Sequence, residues 1–169
     1  MFVYWKKKKK IEKVLILENH STFISCKRAL ADNISIFSLS FDTLIYGSGK
    51  HIIKSLSFLE EIADITNVEI YYAGDIDPSG FRIYDSLKNK YQDYSLELFN
   101  QFYREMLKRG HDGYKIKTKQ DKTKNVLDTI MKEFQDKKHK HLRDEICKLW
   151  EKDFRIPQEV ITYEVLKNY

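Results

Sequence analysis

Glu18, Asp75 and Asp77 are the residues whose type and setting can do chemistry in this chain. Each follows a short apolar run. Val14-Leu15-Ile16-Leu17 leads directly into Glu18, and Val68 to Ala73 leads through Gly74 into Asp75 and, two residues on, Asp77. Runs of this length and composition read as fully buried parallel strands. In an open α/β sheet, ligands bind outside the carboxyl ends of the strands. Residues two apart on an extended chain point the same way, so Asp75 and Asp77 can aim at one point. Glu18 joins them if its strand lies beside theirs. Three converging carboxylates repel, and a hard divalent cation resolves the repulsion. Magnesium takes one or two carboxylates, keeps several waters and binds phosphate oxygens, and manganese suits the same oxygen donors. Such an ion activates water and stabilises the leaving oxygen at a phosphodiester. The expected cofactor is therefore Mg2+ or Mn2+, with Glu18, Asp75 and Asp77 as both metal ligands and catalytic residues. An Asp-x-Asp ahead of Pro78-Ser79-Gly80 is also a common turn with capping aspartates, and that alternative stands beside the metal one.

Two nearby residues are accessory candidates. His20 is two residues from Glu18 and can act as a base or contact phosphate, or simply sit at a helix start. Arg82 follows the Asp-x-Asp loop and faces either a phosphate or solvent. Gly47-Ser48-Gly49-Lys50 is not a phosphate-binding P-loop, because Leu44 stands where the first glycine belongs and His51 replaces Ser/Thr. Cys26 and Cys147 have no metal-ligand or redox spacing and read as reduced thiols of a cytoplasmic protein.

The elements that must position the acids alternate along the chain. Thr43-Leu44-Ile45-Tyr46 is a strand between the two acidic ones, and Leu96 to Phe99 is a weaker fourth. Ser21 or Thr22 is placed to cap a helix running to about Ala31. Ile53, Leu56 and Leu59 predict a helix over 50–63, and Phe81, Tyr84 and Leu87 another after the Asp-Pro-Ser-Gly turn. This alternation indicates an α/β fold with a parallel sheet flanked by helices. Beyond residue 100 the chain reads as mostly helical, with one apolar stripe from Val126 to Phe134 and another from Leu142 to Trp150. Pro157 suits the first turn of a last helix carrying Val160, Ile161 and Leu166. Residues 110–123 read as a mobile basic loop.

The chain has 169 residues, 42% apolar and 14% aromatic, enough for one domain with a real core and too apolar for a disordered tail. We expect residues 1–10 to be a basic N-terminal extension and 11–169 to be the single domain. No apolar run approaches the ~18 residues a membrane span needs. The lysines at 6–10 follow the first apolar residues, the reverse of a secretory signal. A net charge of +5 favours an anionic partner. Its distribution says more: besides Lys6–Lys10, basic runs extend from Arg104 through His111 to Lys124 and from Lys137 to Arg143. Lys115, Lys117 and Lys119 are the leading candidates for contacting a nucleic-acid backbone.

At this point the acidic motifs carry a resemblance. Strand-Glu18 followed by strand-Asp75-Ile76-Asp77 looks like the Toprim signature of topoisomerases, primases and related nucleases, which have a Rossmann-like sheet. The strings Leu15 to Phe23 and Ile70 to Phe81 resemble the C-terminal domain of JetD, the nuclease subunit of Wadjet anti-plasmid systems. Tyr46-Gly47-Ser48-Gly49 resembles that family's glycine turn, and Arg155-Ile156-Pro157-Gln158-Glu159 its C-terminal Gln-Glu element, which adds Glu159 to the accessory candidates. The resemblance spans about residues 11–166. It implies a relative of the topoisomerase VI A subunit, acting on DNA by metal-dependent hydrolysis beside SMC-like and kleisin subunits. It also implies a winged-helix domain, for which there is no room upstream of Val14. The competing readings are a non-catalytic DNA-binding or assembly module of such a complex, and an aspartyl phosphatase nucleophile at Asp75-Ile76-Asp77.

Overall fold

The apolar runs form the sheet that the alternation predicts. A computed structural model describes residues 3–7, 9–110 and 113–169; Met1, Phe2, Lys8, His111 and Asp112 of the segments discussed above lie outside them. In chain order the elements are β1 (Val3–Lys6), β2 (Lys13–Leu17), α1 (His20–Ala31), β3 (Thr43–Tyr46), α2 (Ile52–Ser55), β4 (Glu69–Ala73), α3 (Pro78–Lys90) and β5 (Ser95–Leu98). They continue with α4 (Asn100–Gly110), β6 (Tyr114–Lys115), α5 (Lys124–Glu133), α6 (Lys140–Lys152), β7 (Phe154–Arg155) and α7 (Tyr163–Lys167).

The main sheet has the order β1-β3-β2-β4-β5. β3, β2, β4 and β5 run parallel, and β1 is an antiparallel edge strand on β3. β1 therefore places residues 3–6, within the segment expected to be an extension, in the sheet. Central β2 has Val14, Leu15, Ile16 and Leu17 fully buried, as a strand covered on both faces requires. Its register against β4 pairs Leu17 with Ala73. Both chains thus leave the sheet at the same height, and Glu18 and Gly74-Asp75 emerge side by side. Glu18 and Asp75 come to one sheet end through this pairing, and Asp77 follows at the start of α3.

Helices cover the sheet with apolar stripes at helical spacing: Phe23, Cys26, Ala29 and Leu30 on α1, and Phe81, Tyr84 and Leu87 on α3. Burial pushes the Cys26 thiol pKa far up, which leaves it inert. The segment expected to be one helix over 50–63 is broken. Only Ile52–Ser55 is α-helical, between 3-10 turns at Gly49–His51 and Leu56–Glu61. The cause is Tyr91, whose hydroxyl accepts from the Ser57 N–H at 3.3 Å and donates to the Ile53 carbonyl at 3.1 Å. Those two groups are the partners of one α-helical hydrogen bond, and an inserted side chain disrupts the ladder there.

The C-terminal third is helical as expected, with one addition. β6 and β7 pair as a two-stranded antiparallel ribbon, so part of the expected loop over 110–123 is ordered strand. The last helix also differs: a 3-10 turn at Gln158–Val160 precedes α7, which Thr162 caps. No helix among the described residues is long and apolar enough to cross a membrane.

Candidate functional site

The carboxyl ends of β2 and β4 are where the sequence motifs meet. Glu18 lies one residue beyond β2, half-buried, with its Oε2 accepting from the Tyr72 hydroxyl at 3.0 Å. Burial raises its pKa to about 7, helped by the charges of Asp75 and Asp77 and opposed by the Tyr72 hydroxyl and the Asp75 backbone. Asp75 is half-buried and raised to about 6, again chiefly by burial. The Gln158 backbone N–H donates to its Oδ1 at 2.8 Å and pulls the pKa back, while Asp77 and Glu159 push it up. Arg155 stands 3.8 Å from Asp75 Oδ2 as a partial counter-charge. A carboxylate that is buried among other carboxylates is held in a costly state. Such a group is a candidate functional residue for that reason.

Two glycines make the approach possible. A side-chain Cβ on Gly74 would meet Glu18 Oε2 at 2.6 Å and the Tyr72 hydroxyl at 2.7 Å. A Cβ on Gly80 would meet the Asp75 carbonyl at 2.6 Å. Gly74 is fixed further by its N–H donating to the buried Tyr103 hydroxyl at 3.0 Å.

Asp77 is brought to the same sheet end but turned to a structural task. It is the N-cap of α3, with Oδ1 accepting from the Gly80 N–H at 2.8 Å and Oδ2 from the Gln120 amide at 3.1 Å. Gln120 also accepts from the Ser79 N–H at 3.0 Å, so it clasps the helix entry. Among the described residues, no group of three or more His, Cys, Asp or Glu side chains is placed to hold a metal ion by itself. Glu18 and Asp75 nonetheless suit a hard cation that keeps most of its waters, because magnesium needs only one or two carboxylates. Asp77→Ala is expected to destabilise the fold by about 1–2 kcal/mol through the lost cap. Asp77→Asn, which retains a capping oxygen, should cost much less, and urea melts of both variants in chelator would measure this.

The accessory candidates divide. Glu159 is at the site: its Oε1 accepts from the Asn19 amide at 2.6 Å, and its charge acts on Asp75. His20 begins α1, exposed, with its ring edge-on to Tyr46 at 5.3 Å. Arg82 is occupied with the Asp121 carbonyl and, at 3.7 Å, the Asp121 carboxylate. Lys115, Lys117 and Lys119 are exposed. The first two line a groove of about 400 Å³ with Tyr114, Gln120 and Arg155. Two residues of that groove, Arg155 and Gln120, themselves contact the acids.

The residue that sequence reasoning missed is Gln158. It is fully buried; its Oε1 accepts from the Asn19 N–H at 2.9 Å and its Nε2 donates to the Ala73 carbonyl at 2.8 Å. With its backbone on Asp75, it staples together the exits of β2 and β4. Asn19 was missed as well: it, rather than Ser21 or Thr22, caps α1, accepting from both of their N–H groups. The string Glu18-Asn19-His20 carried that signal, since asparagine is a favoured N-cap. Gln158 lay within the Gln-Glu element noted above, from which only Glu159 was taken as a candidate.

A mostly parallel sheet flanked by helices, with perturbed acids at the carboxyl ends of its two central neighbours, is an α/β fold of Rossmann-like build, in which ligands generally sit at that end. Comparison with known families makes this specific: the chain belongs to the family described as Wadjet protein JetD, C-terminal, which matches residues 4–169. A search of curated proteins gives no match.

Proposed function

We propose that this domain is a Toprim-type, metal-dependent DNA endonuclease domain of a Wadjet-type anti-plasmid defence system, working in the cytoplasm with SMC-like and kleisin subunits. The observation that carries the reading is the Glu18–Asp75 pair, half-buried, repelling and set at adjacent strand ends. Glu18 and Asp75 would hold Mg2+ or Mn2+, which when bound supplies Lewis acidity and an activated water at a phosphodiester. Asp77 and Gln120 set the entry of α3 beside that point, and Tyr72 orients Glu18. Arg155, Lys115 and Lys117 supply positive charge on the flank where a DNA backbone would lie. Family membership supports the assignment to the defence system.

The direct test is conversion of supercoiled plasmid to nicked or linear product with magnesium or manganese, against the same reaction in chelator. Binding to duplex DNA should be indifferent to sequence and steep in salt, with each neutralised phosphate adding about −0.9 to the slope of log K against log salt. Charge reversal at Lys115, Lys117 and Lys119 should flatten that slope. An unchanged slope and affinity would make this loop solvated surface only.

A second reading, a DNA-binding or assembly module that uses no chemistry of its own, is favoured by one observation: Asp77 is committed to capping, which leaves two acids rather than three. DNA binding without any metal-dependent product, in the isolated domain and in the assembled complex alike, would select it.

A further inference from the structure

The basic segments beyond residue 100 separate in three dimensions into two surfaces. One is the groove by the acids. The other lies between α4 and α6, a cleft of about 560 Å³. β7 divides them. Successive strand residues point to opposite faces, and Arg155 faces the acids while its neighbour Phe154 lines the α4–α6 cleft. The cleft is therefore a separate site, and the catalytic proposal does not use it.

Its chemistry is specific. The floor is apolar: Leu107 from α4, Leu142 and Leu149 from α6, and Phe154. The rim is cationic, with Arg104 and Lys108 on one side and Lys138, Lys148 and Lys152 on the other, where His141 also lines it. Glu145 is the single carboxylate in the lining, and it pairs with Lys148 at 2.6 Å. Lys108 pairs with the buried Glu105 at 2.6 Å, and Lys138 with Asp136 at 3.5 Å. Arg104, His141 and Lys152 make no ion pair among the described residues. The rim positions 141, 145, 148 and 152 share one face of α6 and extend about 16 Å, or three helical turns.

We propose that this cleft docks an acidic amphipathic helix from a protein partner. Such a helix presents apolar anchors at i, i+3 or i+4, and i+7, which is how helices fill grooves between helices. Three turns of it match the length of the rim. Its flanking carboxylates meet Arg104 and Lys152, neither of which is ion-paired among the described residues; the one carboxylate of the lining, Glu145, is shared between Lys148, Lys152 and His141. Nucleic acid fits less well. Single strands bind on aromatic stacking platforms, and this floor is aliphatic apart from Phe154. A duplex would satisfy the rim and leave Leu107 and Phe154, the partly exposed apolar residues of the floor, uncovered.

The test is fluorescence anisotropy of the whole chain with a labelled helical peptide of about 18 residues, long enough to hold helix in water. It carries leucines on one face and glutamates elsewhere. The comparison probes are a scramble of the same composition and a single-stranded oligonucleotide of the same charge. The amphipathic peptide should bind at least about tenfold more tightly than the scramble, a difference of 1.4 kcal/mol. The Arg104→Glu/Lys152→Glu double variant should weaken it by about tenfold or more. Leu107→Gln should weaken it at constant salt slope. Thermal melts establish that the variants are folded. Equal binding of peptide and scramble overturns the proposal, because charge alone would explain it. So does absence of peptide binding, or an oligonucleotide that displaces the peptide and is weakened alike by the rim variants.

Discussion

Glu18→Gln or Asp75→Asn is expected to cut metal-dependent nicking on the order of 100-fold or more, since even partners of metal ligands cost 10–100-fold. The same substitutions should make the metal-free domain more stable above neutral pH. Glu18 has a pKa raised to about 7 by burial and by Asp75 and Asp77. An acid with a raised folded-state pKa holds its proton in the fold at pH values where the unfolded chain has released it. Stability from this source is full below the unfolded value and falls as pH rises through about 7. The Glu18→Gln variant has no such loss. Its melting temperature should match wild type near pH 5 and exceed it at pH 8, by roughly 4–8 °C for about 2 kcal/mol in a domain of this size. Asp75→Asn should show the same divergence at lower pH, complete by about pH 6, because its carboxyl is raised less high. The remaining oxygen of Asn still accepts from the Gln158 N–H.

Magnesium bound at the proposed site would favour the folded state, and is expected to stabilise wild type by RT ln(1 + [L]/Kd), about 1.4 kcal/mol at ten times Kd. Either variant should gain much less. Melts across pH 5–8, with chelator and with magnesium, measure both effects together. A gap between variant and wild type that does not change with pH would show that the carboxylates are not under electrostatic load. Equal stabilisation of all three proteins by magnesium would place the ion elsewhere.

The second large effect is at Gln158. Gln158→Leu keeps the volume but leaves the Asn19 N–H without its acceptor, while the Ala73 carbonyl retains the Glu18 N–H at 3.2 Å. An unsatisfied buried donor plus a lost second bond should cost about 2–4 kcal/mol. Gln158→Glu is more informative. It preserves the acceptor for Asn19, loses the donor to Ala73, and adds a carboxylate beside Asp75. Its penalty should be larger at pH 8 than at pH 5.5, where protonation relieves the added charge. Urea titrations at the two pH values give the comparison. A penalty for Gln158→Leu below about 1 kcal/mol, the value of an ordinary exposed hydrogen bond, would mean that the staple is decorative.

The sheet was legible because a strand buried on both faces must be apolar throughout, and Val14–Leu17 and Ile70–Ala73 are such runs. Their acidic ends followed from where ligands sit on parallel sheets. What was not legible depends on partners distant in sequence. Lysines at 6–10 masked the strand character of Val3–Lys6. The helical spacing of Ile53, Leu56 and Leu59 was real, yet a hydroxyl from Tyr91 reached into the ladder and broke it. The Tyr114–Lys115 strand is too short to have a pattern of its own and exists because Phe154–Arg155 lies beside it. At the site, the positions of Glu18 and Asp75 could be read from the chain, but the capping role of Asp77 competed with the metal reading and needed Gln120 to be seen. Gln158 was visible only as part of the Gln-Glu element, and its role as a staple could not be read until its three partners were known.

The staple at Gln158 also has a consequence in time. Its partners Asn19 and Ala73 are 139 and 85 residues away along the chain. During synthesis at about 5–20 residues per second, earlier segments can begin to organise before later ones exist. β2, β3 and β4, with Glu18 and Asp75 at their ends, are complete well before Gln158 emerges. Until then the two strand exits lack the group that ties them, and Asp75 lacks the N–H that steadies its charge. The ribosome therefore delivers the acids first and their fastening last, so the site of a nascent chain stays unassembled until nearly the whole domain has been made.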